Sequence, residues 1–290
     1  EDRLLPPRER RMRAVGPTLE REIRATLAGS GRIILLLNRR VIACGAPGEA
    51  CQLDVTDAAA WLQLRGRLQA EHPRLDLLVN NAGICMAAEV GDGELADWDR
   101  VWQVNYRGVL LGCHTMAPWL KATAAARPIG APAPAVINIA SIAAAMAAPA
   151  MGAYSASKAA VVALSETMHS ELRPLGVHVA VAAPGFFASQ LLERGVFPRR
   201  RHRLQAEKLM RRAQIDADRV AAAALAAAQR GALYVVVGRR ARWLWRLERW
   251  APTTLHRLIG RTYRRQLRDD EGAADDPLPA PAGAARPWAD

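Results

Sequence analysis

The 290-residue sequence predicts an α/β fold in which a parallel sheet carries helices on both faces. Short apolar runs that fit buried strands alternate with longer segments of helical periodicity. Turn-forming residues come directly after two of these runs, as Asn-Asn-Ala-Gly at residues 80–83 and Pro-Gly at residues 184–185. Because ligands of open parallel sheets lie beyond the carboxyl ends of the strands, these residues mark the predicted functional edge.

The N-terminal part of the chain carries one candidate helix and two candidate strands. Residues 1–13 are polar, contain a Pro-Pro pair and show no periodicity, which predicts a loose arm. A helix is predicted over residues 17–28. Residues 32–37 and 52–55 are short apolar runs that predict buried strands, and the second strand reaches Asp54.

The middle of the chain alternates helices and strands. Helical patterns occur at residues 57–69, 98–120 and 154–172, and the last of them is expected to end at Arg173-Pro174. Strands are predicted at residues 75–80, 135–140 and 177–182, and an Ala/Pro/Gly-rich loop at residues 124–135. We see no internal repeat.

Composition and charge exclude several classes of protein. Apolar residues make up 51% of the chain, but no apolar run approaches the ~20 residues of a membrane span, and no secretory signal is visible. The cysteines form no C-x-x-C pair, so we expect reduced thiols in the cytoplasm and no metal site. Residues 199–268 hold 19 basic and 4 acidic side chains, whereas the rest of the chain is slightly acidic.

Tyr154 and Lys158 form the sharpest chemical signal. Positions i and i+4 share one face of a helix, so the phenol and the ammonium group are expected to lie close together. A nearby cation lowers a tyrosine pKa, which suits the phenol to proton exchange with an alcohol or carbonyl oxygen. Ser141, at the end of the strand AVINIA, offers a hydroxyl for the same oxygen. Taken alone, the pair also fits a partly buried tyrosine beside a solvated lysine.

The pair occurs in order with other motifs: Asn80-Asn-Ala-Gly83, Asn105 within VNYRG, Ser141 and Pro184-Gly185. In this combination the sequence resembles the short-chain dehydrogenase/reductase family over about residues 30–195. The resemblance implies a Rossmann-type doubly wound parallel sheet. It also implies an oxidoreductase that transfers a hydride between NADP(H) or NAD(H) and an alcohol or ketone.

The resemblance also implies a role for each matching residue. The implied catalytic residues are Asn105, Ser141, Tyr154 and Lys158, with Tyr154 as acid/base and Asn105 holding a water in the proton relay. The implied cofactor-binding residues include Tyr154 and Lys158 together with Asn38, Arg39, Asp54, Asn81, Ala82, Gly83, Pro184, Gly185 and Ser189.

The N-terminal region departs from the family pattern. The fingerprint T-G-x-x-x-G-x-G, whose glycines let the backbone approach the cofactor pyrophosphate, is not found, and Gly16 is the only glycine nearby. The connection between Asn38 and Asp54 is also too short for a full helix. Three explanations stay open: a different alignment, phosphate binding through arginines, or a degenerate or misread N-terminus.

The choice of cofactor depends on the end of the second strand of the fold, which we assign to residues 32–37. Asn38-Arg39-Arg40 comes next, with no carboxylate to bind the ribose hydroxyls of NAD, so NADP(H) is favoured and NAD(H) is the alternative. The competing interpretation is a solvated basic loop.

The domain prediction places a single dehydrogenase domain at residues 14–238, a basic helical extension at 239–268 and a disordered tail at 269–290. In the extension, Trp243, Leu244, Leu247 and Trp250 form an apolar stripe. This stripe fits either a membrane interface or packing on the core or a second subunit. We expect no nucleic-acid binding, since no motif for it is present.

Apolar residues also predict the substrate. Its pocket should be roomy and lined by side chains that include Met146, Met151, Phe186, Phe187, Leu191, Leu192 and Phe197. The expected substrate is therefore a hydrophobic or lipid-like alcohol or ketone, and the expected assembly is a homo-oligomer. The rival interpretation is a non-catalytic family relative that binds cofactor weakly, with a membrane-surface scaffold as a further variant.

Overall fold

The computed structural model describes residues 33–37, 40–44, 49–187, 190–193, 195–213 and 215–270. The predicted arm at residues 1–13, the predicted helix at 17–28 and the tail beyond Asp270 lie outside these ranges. The last helix runs to Asp270, so the first two residues of the predicted disordered tail are helical.

The described strands form one seven-stranded sheet in the order β3-β2-β1-β4-β5-β6-β7. In chain order these strands are Ile33–Leu37, Arg40–Cys44, Glu49–Gln52, Leu77–Asn80, Ala135–Ile139, His178–Ala182 and Tyr234–Val235. β1 and β4 to β7 are parallel, as predicted for a doubly wound sheet. Their carboxyl ends lie at one edge, with Leu36 opposite Asn80 and Asn80 opposite Asn138.

The first three strands differ from the prediction of a wholly parallel sheet. β1 pairs antiparallel with β2, and β2 pairs antiparallel with β3. The reason is chain length, since β2 begins at Arg40, three positions after Leu37, and a parallel pair needs a crossover of a dozen or more residues. The predicted lack of a full helix between Asn38 and Asp54 is confirmed for the described residues.

The apolar run at residues 33–37 takes the third position in the sheet, where it pairs with β4 on one side and β2 on the other. Our assignment of this run to the second strand was therefore wrong. An IILLL segment is suited to an interior strand, and β1 is paired with a strand on each side. As a result, Arg40 at the start of β2 is paired with Leu37 at the carboxyl end of β1 and lies beside the functional edge.

The strand predicted at residues 52–55 is also wrong, because β3 ends at Gln52. Asp54 instead accepts hydrogen bonds from the Thr56 backbone N–H at 2.9 Å and the Thr56 hydroxyl at 2.8 Å. Such local bonds of an aspartate favour a turn over a strand. Asp57 then caps the next helix by accepting from the backbone N–H groups of Ala59 and Ala60.

Helices cover both faces of the sheet. In chain order they are α1 Ala58–Glu71, α2 Leu95–Trp102, α3 Gly108–Ala125, α4 Ala143–Met146, α5 Gly152–Leu172, α6 Arg200–Arg211, α7 Ala217–Arg230, α8 Arg239–Trp250 and α9 Pro252–Asp270. One core packs α1, α3 and α5 against residues such as Leu78 and Val136, and the other packs α7 against residues such as Leu77 and Ile137. The helix predicted at residues 98–120 is interrupted by a π-helical turn at Gln103–Arg107.

Candidate active site

Asn105 is fully buried in the π-helical turn between α2 and α3. Its Oδ1 accepts from the Ile84 backbone N–H at 2.8 Å, and its Nδ2 donates to the Ile84 carbonyl at 2.9 Å and to the Ser157 hydroxyl at 3.1 Å. The side chain therefore ties the segment after β4 to α5. Both amide hydrogens are used, so a water held here must bond to an oxygen of Asn105. π-Turns are frequent at functional sites because they re-aim side chains locally.

Tyr154, Ser141 and Lys158 come together beyond the carboxyl end of β5. Tyr154 and Lys158 project from the first turns of α5, and both side chains are buried. The Ser141 hydroxyl lies near enough to the Tyr154 phenol to lower its pKa, and Ser141 Oγ accepts from the Ala143 backbone N–H at 3.2 Å. The Lys158 Nζ lies 6.0 Å from the centre of the Tyr154 ring.

The electrostatics differ from the sequence prediction of a lowered tyrosine pKa. Burial raises the pKa of Tyr154 to about 12, and the Ser141 hydroxyl only partly opposes this. Lys158 donates to the Ile139 carbonyl at 2.8 Å, and burial lowers its own pKa to about 8. In this closed arrangement the phenol is neutral near pH 7, which is the form that can donate a proton to a carbonyl oxygen.

Gly83 allows the closest approach in the site. A Cβ atom at this position would lie 3.3 Å from Lys158 Nζ and 3.4 Å from Asn105 Oδ1. A side chain would therefore push against two groups whose positions matter for the chemistry. Of its neighbours in the motif, Ala82 is buried and Asn81 is exposed at the edge of the sheet.

Pro184 and Gly185 come after β6 and support the loop that carries Ser141. The Pro184 carbonyl accepts from the Ile142 backbone N–H at 2.9 Å, and the Gly185 N–H donates to the Val237 carbonyl at 3.4 Å. Both residues therefore lie at the same edge of the sheet as Ser141.

The remaining predicted cofactor residues lie apart from this group. Asp54 is exposed in the turn before α1, with its carboxylate engaged by Thr56. Asn38, Arg39 and Ser189 lie outside the described residues.

An apolar lid covers Tyr154. Leu191, Leu192 and Phe197 pack around the tyrosine together with Met151, Ala206, Cys85, Ala87 and Ala143. Of the predicted lining residues, Phe187 instead packs on the core beneath α7, and Phe186 is exposed. Cys85, Ala87 and Ala206 were not predicted, since no pattern in the sequence marks them. Burial raises the pKa of the Cys85 thiol to about 12, so this thiol is unreactive.

A network of ion pairs holds the lid to the segment after β4. Arg199 binds Asp92 through two hydrogen bonds at 2.7 and 3.0 Å, which lowers the pKa of Asp92. Arg201 donates to Glu89 at 2.9 Å, and the Tyr263 hydroxyl of α9 donates to the same carboxylate. The C-terminal helix is thereby linked to the lid, a connection that sequence spacing did not indicate.

The described residues hold neither a metal-binding cluster nor a membrane-spanning helix. Within the described ranges, no group of three or more His, Cys, Asp or Glu side chains is arranged to hold a metal ion. Among the described helices, none combines the length and apolarity needed to cross a membrane.

The comparisons with known proteins agree with the fold and the motifs. The family model for the short chain dehydrogenase matches residues 37–196. The cyclopentanol dehydrogenase of Comamonas sp. (strain NCIMB 9872) is 33% identical over 150 residues, which cover 51% of this chain and 56% of that protein. A 3-oxoacyl-[acyl-carrier-protein] reductase of Synechocystis is 34% identical over 153 residues, covering 53% and 59% of the two chains. This chain thus spans little more than half the length of these curated relatives.

Solved structures of short chain dehydrogenases also align with this chain. A short chain dehydrogenase/reductase from Burkholderia phymatum in complex with NAD aligns with a TM-score of 0.61 and 25% identity, covering 68% of this chain and 73% of that one. A short chain dehydrogenase from Burkholderia cenocepacia in complex with NADP aligns with a TM-score of 0.58 and 25% identity, covering 72% and 76%. Both cofactors therefore occur among structures with this fold.

Proposed function

Since this chain belongs to the short-chain dehydrogenase family, we propose that it is an oxidoreductase that interconverts an alcohol and a ketone with NADP(H) or NAD(H). The observation that carries the proposal is the meeting of Ser141, Tyr154 and Lys158 at the carboxyl edge of β5, under an apolar lid. A neutral phenol with a serine hydroxyl beside it is suited to bind one substrate oxygen between the two groups.

A bound nicotinamide dinucleotide supplies or accepts the hydride in this chemistry. In the reducing direction, Tyr154 donates its proton to the carbonyl oxygen, and the Ser141 hydroxyl stabilises the charge that develops there. The high pKa of Tyr154 favours this direction, because the phenol stays protonated at neutral pH. Lys158 retains donors beyond its bond to Ile139, which suit the reprotonation of the tyrosine.

The residues described around Tyr154 fit the nicotinamide and ribose end of such a cofactor. Lys158 offers an ammonium group with hydrogens left for ribose hydroxyls, and Gly83, which carries no side chain, lets that group lie close to the backbone. Exposed Asn81 lies along the same edge. This fit supports the roles of Asn105, Ser141, Tyr154 and Lys158 that the family resemblance implies.

The region after β1, where this fold usually binds the cofactor pyrophosphate, favours a second candidate function. In a dinucleotide-binding fold the central strand leads into a glycine-rich turn and a helix N-terminus, but here β1 returns as the antiparallel β2. This observation supports a non-catalytic relative that binds cofactor weakly. Against it, the basic sequence Asn38-Arg39-Arg40 follows β1 along the chain and offers positive charges for phosphate. NADP(H) carries one phosphate more than NAD(H), so these charges favour NADP(H).

The apolar lid supports a hydrophobic substrate. Leu191, Leu192 and Phe197 leave few polar partners for a small hydrophilic molecule near Tyr154. Two relatives named for cyclopentanol and for 3-oxoacyl groups fit this expectation, whereas a D-threitol dehydrogenase of Mycolicibacterium smegmatis, 34% identical over 144 residues, is named for a polar one. We further propose a homo-oligomer in the cytoplasm.

A substrate panel tests the proposal. Cyclopentanol, longer cyclic and aliphatic alcohols and 3-oxoacyl thioesters are assayed with NADP(H) and NAD(H), beside D-threitol as the polar comparison. We expect turnover of the apolar compounds that rises with chain length. Turnover of polar compounds alone would overturn the substrate class, and no turnover together with no cofactor binding would favour the non-catalytic relative.

A further inference from the structure

The outer faces of α8 and α9 leave large apolar side chains in solvent. On α8, Ala241 and Trp245 are buried against Ile142 and Ala183, so this face of the helix is fixed to the core. Trp243 and Trp250 point away from that contact, with 59% and 89% of their surfaces exposed. The stripe predicted from the sequence is therefore divided: Leu244 packs against the core beside Trp245, whereas Trp243 and Trp250 remain exposed.

Arginines surround these tryptophans. Trp243 and Trp250 stand seven residues apart, or two helical turns, and Arg239 and Arg246 occupy the same side of α8. All four side chains are exposed. An exposed tryptophan flanked by arginines is unfavourable in water but suits an interface with an apolar and a charged layer.

The next helix continues the basic surface. Leu255 is buried and Tyr263 binds Glu89, which fixes the inner side of α9. The opposite side carries exposed arginines at intervals of three and four residues, namely Arg257, Arg261, Arg264, Arg265 and Arg268. Leu258, with 53% of its surface exposed, lies among them. None of these five arginines forms an ion pair with another described side chain.

The anchoring of both helices makes their outer faces a fixed surface. Arg249 stacks on Tyr234 at 4.6 Å and on Trp245 at 4.9 Å and pairs with Glu166, so this arginine serves the inner contact. Trp250 ends α8, two positions before α9 begins at Pro252. Exposed tryptophan and exposed arginine therefore meet at the junction of the two helices.

We propose that the outer faces of α8 and α9 bind the surface of a membrane that contains anionic lipids. The arginines match the negative headgroups, and Trp243, Trp250 and Leu258 enter the boundary between headgroups and acyl chains. A nucleic-acid duplex would satisfy the arginines but would leave Leu258 and the tryptophan rings without an apolar partner, because its bases are already stacked. The proposal does not depend on hydride transfer, since no residue of this surface belongs to the Ser141–Tyr154–Lys158 site.

Sedimentation with vesicles tests the proposal on the full-length protein. Vesicles of phosphatidylcholine alone are compared with vesicles that also contain phosphatidylglycerol, at low and high salt. We expect binding to the anionic vesicles only, weakened by salt, with a blue shift of tryptophan fluorescence. Absence of binding to anionic vesicles, or binding to duplex DNA with no binding to vesicles, would overturn the proposal.

Two variants and a matched control locate the surface. R257Q/R261Q/R264Q/R265Q/R268Q is expected to lower vesicle partitioning by about 100-fold. W243A/W250A is expected to lower it by about 10-fold and to remove most of the blue shift. The control R107Q/R200Q/R212Q/R219Q/R230Q removes the same charge from exposed sites elsewhere and is expected to bind like the unmodified protein. An equal loss in the control would show that net charge alone, and not this surface, drives binding.

Discussion

The edge beyond β4, β5 and β6 and the region of β1 to β3 belong to the same sheet, but only the first keeps the arrangement that this fold usually has. At the first, Asn105, Ser141 and Lys158 each form at least one hydrogen bond to a neighbouring element or loop, so the candidate catalytic groups are held from several sides. At the second, two short connections force antiparallel pairing, and β1 leads into a strand where this fold usually places a helix. The catalytic and phosphate-binding halves of a dinucleotide site are thus separable features.

The difference shows that strand position and strand connection are set by different properties. The apolar run Ile33–Leu37 takes an interior place beside β4 because an apolar run is suited to burial. The element after β1 is set by the number of residues available before the next strand, and that number is too small for a helix. A familiar strand order can therefore persist when the usual crossover is missing.

The largest expected effect is on turnover, and it tests the catalytic groups at the edge beyond β4, β5 and β6. Tyr154→Phe removes the phenol that donates the proton, and we expect turnover to fall about 10³-fold while cofactor affinity changes little. Steady-state kinetics and a cofactor titration measure the two quantities. The matched control is Tyr234→Phe, an exposed tyrosine on β7 whose hydroxyl is hydrogen-bonded to Glu166. Turnover retained in Tyr154→Phe would remove the tyrosine from the mechanism.

The second prediction concerns stability and tests the burial of the Lys158 ammonium group. The pKa of Lys158 is lowered from 10.5 to about 8, so between these pH values the unfolded chain holds a proton that the folded protein has released. The free energy of unfolding should therefore rise with pH across this window, by at most roughly 3 kcal/mol relative to Lys158→Met. Below about pH 8 the lysine is charged in both states and the difference should be constant.

Denaturant unfolding from pH 7 to 10.5 measures this difference. Lys121→Met serves as the control, because Lys121 is exposed on α3 and its substitution should leave the pH dependence of stability unchanged. A flat difference between the unmodified protein and Lys158→Met would show that the lysine is not buried as described.

A third, smaller effect tests the close approach at Gly83. Gly83→Ala places a methyl group 3.3 Å from Lys158 Nζ, and we expect a loss of about 1–2 kcal/mol of stability and about 10-fold in turnover. Gly66→Ala is the matched control, since a Cβ there meets no atom within 4 Å and alanine favours the interior of α1 by up to about 1 kcal/mol. Equal behaviour of the two variants in unfolding and kinetics would contradict the crowding.

The smallest expected effect is on cofactor affinity, and it tests the region of β1 to β3. If the arginines after β1 bind phosphate, R39Q/R40Q should weaken NADPH by about 10-fold and NADH by less. Arg127→Gln, an exposed arginine far along the chain, is the control. An equal weakening of both cofactors would place the arginines at the shared pyrophosphate, and no weakening would leave them as a solvated loop.

The sequence could predict features that depend on local spacing. Tyr154 and Lys158 come together because an i, i+4 pair shares a helix face, and the strands at β4, β5 and β6 are predicted by short apolar runs. The partners of Ile33–Leu37 could not be predicted, since an apolar run indicates burial but not its neighbours. The bond between Arg201 and Glu89 joins residues 112 positions apart, and no local pattern reports such a contact.

The direction and the burial of individual side chains could not be predicted from the sequence either. Trp243, Trp245 and Trp250 lie within one helix, and periodicity alone did not show that the core takes Trp245 and Leu244 while Trp243 and Trp250 stay exposed. Likewise, the spacing of Tyr154 and Lys158 suggested a lowered tyrosine pKa, but the lid of Phe197 and its neighbours removes water from the phenol and raises it.

The most direct test of the proposed oxidoreductase is a titration of the folded, unmodified protein with NADPH and NADH, monitored by tryptophan quenching and energy transfer to the reduced nicotinamide. We predict saturable binding in the micromolar range, tighter for NADPH, which would mean that the region after β1 supports phosphate without the glycine fingerprint. No binding of either cofactor at millimolar concentration would contradict the proposed oxidoreductase and leave the non-catalytic relative.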